Sequence, residues 1–379
     1  MTIPVSPILQ SLAAYPFVRL REAAERAEAR GIELIDFGTG DPREPTDERI
    51  RRAVGESVPE LSSYPLAVGL PELREAIAGW LGRRFAVQVD PHRELIPTLG
   101  SKEAIFSFAQ VVLGEKRLVV VTEPGYPVAE RGAAFAGGEV LRVPLREETA
   151  WLPDLDAVEG RWDEIAILWL NYPNNPTGAT APVELYQELA RRAERHGFLL
   201  ASDEAYSELW FDEPPASALQ TRNPNVVVFN TLSKRSSMTG YRSGFVAAAP
   251  EVIDALRAYR PQIGTAPQEF VQRASIVAWD DEEHVERVRV VYRAKRDAVL
   301  PVLRRKRLRV SGSEATFFLW FAVPGSEPSE DYAARLLEHG LVITPGSYFG
   351  AAGEGYARLA LVPSLDECRR AAAILEDVL

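Results

Sequence analysis

Lysine is scarce in this chain of 379 residues: Lys102, Lys116, Lys234, Lys295 and Lys306 are the only five, and arginine supplies the remaining basic side chains. Chemistry that needs an unprotonated primary amine therefore has few candidates. Lys116 (GEKRL) reads as a solvated loop residue, and Lys295 (RAKRD) and Lys306 (RRKRL) read as members of charged helical faces. Lys102 follows Gly100 and Ser101 at a helix start, where backbone amides matter more than the side chain. Lys234 differs, because it follows a buried apolar run at 226–230 (VVVFN) and sits among small hydroxyl residues. Burial and a nearby positive charge, here Arg242 in TGYRSGF, lower a lysine's proton affinity and suit it to covalent bonding with a carbonyl.

Two further strand ends carry polar groups of the right kind. The run 165–170 (IAILWL) is followed by NYPNNPTG at 171–178, which contains Asn175, and the run 198–202 (FLLAS) by Asp203, Glu204, Ala205 and Tyr206. In open α/β sheets, ligands bind beyond the carboxyl ends of the strands. Taken singly, each piece has a plain structural reading: NNPTG has the composition of a tight turn, and an aspartate after a strand suits a cap. Together they deliver an amide, a carboxylate with a phenol, and a lysine to three successive strand ends. Ser101 and Ser233 add hydroxyls, and the amides of Gly100, Ser101 and Lys102 add a helix N-terminus that favours phosphate. A phosphate cup, a lysine, an acid and a phenol are what pyridoxal phosphate requires of a protein. The acid keeps the pyridine nitrogen protonated; the phenol and amide hydrogen-bond the ring oxygen.

The elements that must position these groups follow from the hydrophobic pattern. Runs at 118–121, 165–170, 198–202, 226–230 and 245–248 are apolar on both faces, as strands inside a parallel sheet should be. Residues 182–196 have helical period, with Pro182 at the start and Gly197 just past the end. The pattern predicts an α/β chain with a three-layer large domain around a mostly parallel sheet. The last third predicts a smaller α/β domain: a charged helix over about 281–307, a strand at 317–321, and a helix from Ser329 closed by Gly340. Strands near 341–344 and 358–361 follow, and then a final helix whose Ser364 and Glu367 form a capping box. The expected division is an N-terminal arm at 1–40, a large domain at 41–280 and a small domain at 281–379.

The net charge of −11 argues against nucleic acid as a partner, since phosphate backbones need a basic surface. No apolar run approaches the ~18 residues of a membrane span, and the first residues do not read as a secretion signal. A cytoplasmic protein is expected. His92, His196, His284 and His339 have no metal-ligand spacing, and no metal is expected. The lone Cys368 reads as a stray helical thiol. No GxGxxG fingerprint marks a nicotinamide site, and no basic N-terminal segment marks a DNA-binding regulator.

With these residues in view, LSKRSSMTGYRSGF (232–245) resembles the lysine motif of the class I/II, fold-type-I pyridoxal-phosphate-dependent aminotransferases. LIDFGTGDP (34–42), GSKEA, YPNNPTG and SDEAY support the likeness in the family's order, over nearly the whole chain. The resemblance implies that Lys234 carries the cofactor and moves the substrate's proton, that Asp203 pairs with the pyridinium, and that Asn175 and Tyr206 contact the ring oxygen. It gives Tyr126 (EPGYP) a stacking role on the ring, and it gives the phosphate to Gly100, Ser101, Lys102, Ser233 and Arg242. Arg358 (YARLALV) would bind the substrate α-carboxylate, and Gly40 would leave room for substrate. Tyr64 would reach the phosphate of a neighbouring subunit, which implies a homodimer with shared sites.

Within the family, SKRS and the stretch 14–21 (AYPFVRLR) are similar to N-succinyl-L,L-diaminopimelate aminotransferases of lysine biosynthesis, with glutamate the expected amino donor and a keto acid the acceptor. Ser237, Met238 and Thr239 depart from the asparagine-containing stretch common there. Aspartate, alanine and unsuccinylated diaminopimelate stand as alternative substrates, and a C–S lyase as an alternative reaction. Arg19, Arg21 and Arg235 are candidates for a distal carboxylate, and Tyr348 and Phe349 (PGSYFG) for the pocket wall.

Overall fold

The strands arise where the sequence is apolar on both faces, and they assemble into one large sheet and two small ones. In a computed structural model, residues 5–11, 16–325 and 327–379 are described. Part of the 14–21 stretch thus lies outside the described residues. The large sheet contains β2 (Leu95–Thr98), β3 (Leu118–Glu123), β4 (Glu139–Pro144), β5 (Ile165–Asn171), β6 (Leu199–Asp203), β7 (Val226–Thr231) and β8 (Gly244–Ala247), in the order β2-β8-β7-β6-β5-β3-β4. β3 to β7 run parallel.

Alternate residues of each strand go to opposite faces. Val119, Val121, Ile167, Trp169, Val227 and Phe229 pack with Ile105, Phe108, Ile253 and Leu256 from helices Gly100–Val112 and Pro250–Tyr259. Leu118, Val120, Leu168, Leu170, Val226 and Val228 pack with Tyr186 and Leu189 of helix Val183–His196. A sheet between two helical layers is the result.

β8 corrects one sequence expectation. It runs antiparallel to both neighbours, with Thr231 opposite Gly244 on one side and Thr98 opposite Gly244 on the other. The reversal has a consequence for the site: the residues that precede β8, Arg242 among them, lie at the same edge as the carboxyl ends of β2 and β7.

In the C-terminal third, β9 (Val310–Ser311), β10 (Phe318–Ala322), β12 (Thr344–Pro345) and β13 (Tyr356–Ala360) form an antiparallel sheet. The expected strand at 341–344 is in fact two: β11 (Leu341–Val342) leaves that sheet to pair with β1 (Ile35–Asp36). Helix Glu283–Arg305 packs Tyr292, Val299 and Leu303 into the core beneath β10 and β13, and helix Leu365–Val378 adds Ala371 and Leu375. Cys368 is buried in this core, where desolvation pushes its thiol up to about 12. Among the described residues no helix is long and apolar enough to cross a membrane, and no cluster of three or more His, Cys, Asp or Glu is placed to hold a metal ion.

Candidate active site

β5, β6 and β7 end side by side, with Asn171 opposite Asp203 and Asp203 opposite Phe229. The ends of these strands, the start of helix Gly100–Val112 and the loop before β8 surround a cavity of about 360 Å³. Its lining includes Gly40, Ser101, Lys102, Tyr126, Asn175, Asp203, Tyr206, Ser233, Lys234, Arg242 and Arg358. Eleven sequence-selected residues thus meet in one place although they span more than 300 positions.

Lys234 stands on a single helical turn, Leu232–Arg235, capped by Thr231, whose hydroxyl accepts from the Ser233 amide at 3.1 Å. Its Nζ donates to the Gly40 carbonyl at 2.7 Å. Desolvation lowers its pKa to about 8; Asp41 opposes that shift, and the charges of Arg358 and Arg242 add to it. Near pH 8 about half of such amines are unprotonated, against less than about 1 in 100 for a solvated lysine.

Asp203 is pushed the other way, up to about 7, because its carboxyl is cut off from bulk water and only the Ala205 amide, at 3.2 Å, compensates. No ion pair to Asp203 forms among the described residues. A carboxylate that faces a cavity and has no cation paired with it among the described residues calls for a ligand that carries one. Burial likewise raises the Tyr206 phenol, whose ring packs edge-on against Phe317 and Phe318.

On the opposite wall, Arg242 donates to the carbonyls of Thr239 at 2.8 Å and Leu99 at 3.0 Å. Gly100 makes this possible: its φ is +73°, and a Cβ there would come within 2.6 Å of the Arg242 guanidinium. The first turn of the helix, Ser101, Ser233 and Arg242 therefore form an anion-sized cradle of amides, hydroxyls and one fixed positive charge. Lys102 Nζ lies 5.4 Å from the centre of the Tyr126 ring, so its side chain also borders the cavity.

Arg358 projects from β13 with its guanidinium buried. It donates to Asn175 Oδ1 at 2.8 Å and to the Gly38 carbonyl at 2.6 Å, and lies 3.3 Å from the Thr344 hydroxyl. Phe318 and Phe349 flank it at 4.4 and 4.7 Å. Asn175 is itself held by its amide, which donates to Asn171 Oδ1 at 2.9 Å. At Gly40 the absent side chain serves packing: a Cβ would meet the Phe318 ring at 3.0 Å.

Some sequence candidates fall elsewhere. Arg235 points away from the cavity into the core, where its guanidinium sits 5.1 Å from the Trp279 ring and 3.0 Å from Glu282. That excludes it as a reader of substrate in this cavity. Arg21 is exposed beside Glu25. Arg19 lies over the Tyr348 ring at 4.9 Å and 3.6 Å from Glu330, in a groove beyond Phe17. Tyr348 and Phe349 pack on Phe17 behind the cavity wall. Tyr64 is 99% exposed and does not line the cavity of its own chain. Lys295, read as part of a charged helical face, is buried and ion-paired with Glu44. Phe17, Thr39, Asp41, Thr239 and Phe318 also line the cavity without having been singled out for it. Asp41 was adjacent to a chosen glycine, whereas nothing in the sequence separates Phe318 from an ordinary core residue.

The donor set fits pyridoxal phosphate: a cradle for its phosphate, an acid for its ring nitrogen, a low-pKa amine for its aldehyde, and an arginine for an amino acid's carboxylate. Comparison with known proteins agrees. Residues 32–375 match the family described as aminotransferase class I and II. The chain is 38% identical to the LL-diaminopimelate aminotransferase of Aquifex aeolicus over 98% of both chains. It is 37% identical to that of Maridesulfovibrio salexigens over 96% of both. Among solved structures, the aspartate aminotransferase from Thermus thermophilus with maleate is similar at 30% identity and a TM-score of 0.91, covering 100% of each chain. A probable N-succinyldiaminopimelate aminotransferase, also from Thermus thermophilus, is similar at 32% identity and a TM-score of 0.90, covering 96% of this chain and 100% of that one. The chain belongs to the class I and II aminotransferases, pyridoxal-phosphate-dependent transaminases of fold type I that act on amino and keto acids.

Proposed function

We propose that this transaminase acts on LL-diaminopimelate, with glutamate and 2-oxoglutarate as the second pair of amino and keto acids, and so serves lysine biosynthesis. The observation that carries the reading is the shared name of relatives at 37–38% identity along nearly the whole chain. The N-succinyl form suggested by the SKRS motif keeps one structural neighbour on its side. The two substrates differ at the far end: a zwitterionic amino acid in one, an amide bearing a carboxylate in the other. Steady-state kcat/KM should be at least about tenfold higher for LL-diaminopimelate than for its N-succinyl derivative, aspartate or alanine, a gap of about 1.4 kcal/mol. A preference for the succinylated compound would reverse the assignment.

In this reading Lys234 binds the cofactor and carries the proton to and from the substrate's Cα, and Asp203 holds the ring nitrogen's proton. Asn175 and Tyr206 orient the ring oxygen, Tyr126 stacks on the ring, and Gly100, Ser101, Lys102, Ser233 and Arg242 hold the phosphate. The cofactor supplies an electron sink for the bond broken at Cα. Arg358 fixes the α-carboxylate, beside the rings of Phe17 and Phe318 that line the cavity.

Because the amine must be neutral to attack, capture of the cofactor by the full-length protein freed of it should speed up with pH. A group titrating near 8 gives a rise of about fivefold from pH 7 to 8 and less than about twofold from 8 to 9. A stopped-flow absorbance rate that kept rising tenfold per unit up to pH 10 would place the amine in solvent. We further propose a cytoplasmic homodimer. Leu61, Tyr64 and Leu66 are 82, 99 and 72% exposed within six residues, an apolar cluster that a second copy would cover. The division at residues 40 and 280 is our reading of the chain's domains, supported by the segregation of β2–β8 from β9, β10, β12 and β13.

A further inference from the structure

A second lysine is buried in this protein, and it lies outside the cavity. Lys295 sits on helix Glu283–Arg305 at the spacing of the core residues Tyr292 and Val299, 2% exposed, and forms an ion pair with Glu44. The Tyr292 hydroxyl donates to the other Glu44 oxygen at 2.6 Å, and Lys295 Nζ also donates to the Val362 carbonyl at 3.3 Å. A buried ion pair is a poor source of net stability, but losing one partner is costly, so such groups fix geometry.

What this cluster fixes can be read along the chain. Glu44 follows the turn whose Gly40 carbonyl accepts from Lys234 and whose Asp41 faces the same amine. Val362 lies just past β13, which carries Arg358, and Ala360 of that strand donates its amide to the Phe37 carbonyl at 2.8 Å. Five points thus fasten residues 38–46: Gly38 to Arg358 and Thr344, Gly40 to Lys234, Arg43 to Asp36 at 2.9 Å, Glu44 to Tyr292 and Lys295, and Thr46 to the Ser237 carbonyl at 2.7 Å. Three of these points, at Arg43, Glu44 and Thr46, contain no group that borders the cavity, and of the three the Glu44 point is the one that reaches two buried side chains. A second route runs through rings, from Tyr292 to Phe317 at 5.1 Å, and from Phe317 to the Lys234 amine at 5.8 Å.

We propose that Glu44, Tyr292 and Lys295 are positioning residues: a largely buried cluster, outside the cavity lining, that clamps the Gly40–Asp41 turn over Lys234 and keeps that amine dry. This rests on the assignment of Lys234 as the cofactor lysine. The groups that face Lys234 are Asp41 from the turn, Arg358 from β13 and Arg242 before β8, with Asp203, Tyr206, Tyr126 and Lys102 across the cavity. Burial is the largest influence on the amine, ahead of Asp41, so loosening the turn acts chiefly by admitting water.

The test is the pH dependence of Lys234 labelling in the full-length protein freed of cofactor, by competitive acetylation and peptide mapping. Lys295→Met and Glu44→Gln should raise the apparent pKa of Lys234 by about one unit toward the solvated value, and Tyr292→Phe, which removes only one hydrogen bond and keeps the ring, by less. Lys295→Arg, which keeps charge and donors, should restore it. If Lys295→Met fails to fold, Tyr292→Phe decides. An unchanged or lowered value in the folded variants, with only their melting temperature reduced, overturns the proposal. Borohydride trapping in the holoenzyme separates the two claims: a cofactor label on Lys102 removes the Lys234 assignment without altering the titration.

Discussion

Replacing Lys234 by alanine should abolish transamination while leaving the protein folded. The loss should reach about 10⁴-fold or more, since one substitution removes both the covalent attachment and the group that moves the proton at Cα. In free energy that is about 5.5 kcal/mol of barrier. Stability should change little, because the side chain lies against the cavity wall and gives up a single hydrogen bond, to Gly40. The Gly40 carbonyl then faces the cavity, where it is not stranded in an apolar core. Lys102 is the rival amine, since it borders the same cavity next to Tyr126. Borohydride reduction of the holoenzyme and peptide mapping should label Lys234 alone, and Lys102→Ala should keep the label in place. Turnover of Lys234→Ala within tenfold of the parent, or a label on Lys102, would sink the assignment.

Lys234 could be singled out because the sheet interior announces itself. β5, β6 and β7 are apolar on both faces, so their ends, and the polar residues just past them, stand out in the sequence. The two strands of the large sheet that sequence reading missed, β2 and β4, are its two edges. β2 contains Pro97, and β4 ends in Pro144 with partly exposed residues, which are features that edges tolerate and interiors do not. The direction of β8 was also illegible, because an apolar run looks the same read either way; only the short connection from β7, with Lys234 on it, favours a return over a full crossover. That reversal is what brings Arg242 to the site.

Charge misled the reading of Lys295, taken as part of a charged helical face, and of Arg235, taken as a candidate for a distal carboxylate. Periodicity held the better signal for Lys295, three residues after Tyr292 and four before Val299, on the face that meets β10 and β13. For Arg235 no pattern served: its burial depends on Trp80, Trp279 and Glu282, which are distant in sequence and meet only in the fold.

Arg358 is the residue whose removal should separate substrate binding from cofactor binding. Its hydrogen bonds to Gly38, Asn175 and Thr344 fix the plane of the guanidinium. A planar fork held in this way suits a carboxylate bidentately. Arg358→Ala should lower kcat/KM by about 10²–10³, through KM more than kcat, which corresponds to about 3–4 kcal/mol for a buried charge-assisted pair. The loss should be equal for the amino-acid and keto-acid halves of the reaction, because both substrates carry the same carboxylate. Arg358→Lys keeps the charge and loses the fork, so it should fall between the parent and the alanine variant. Truncation also strips partners from Asn175 and Gly38, at about 1–3 kcal/mol for each buried group, so melting temperature and cofactor content must be measured alongside the rates. A simple amine without a carboxylate provides the internal control: it feels only the loss of Arg358's bonds to Asn175 and Gly38 and of its charge near Lys234, so its slow reaction should fall far less than that of the amino acid. Should the amine and the amino acid lose rate together, Arg358 is a structural brace for the Gly38 turn and the carboxylate binds elsewhere.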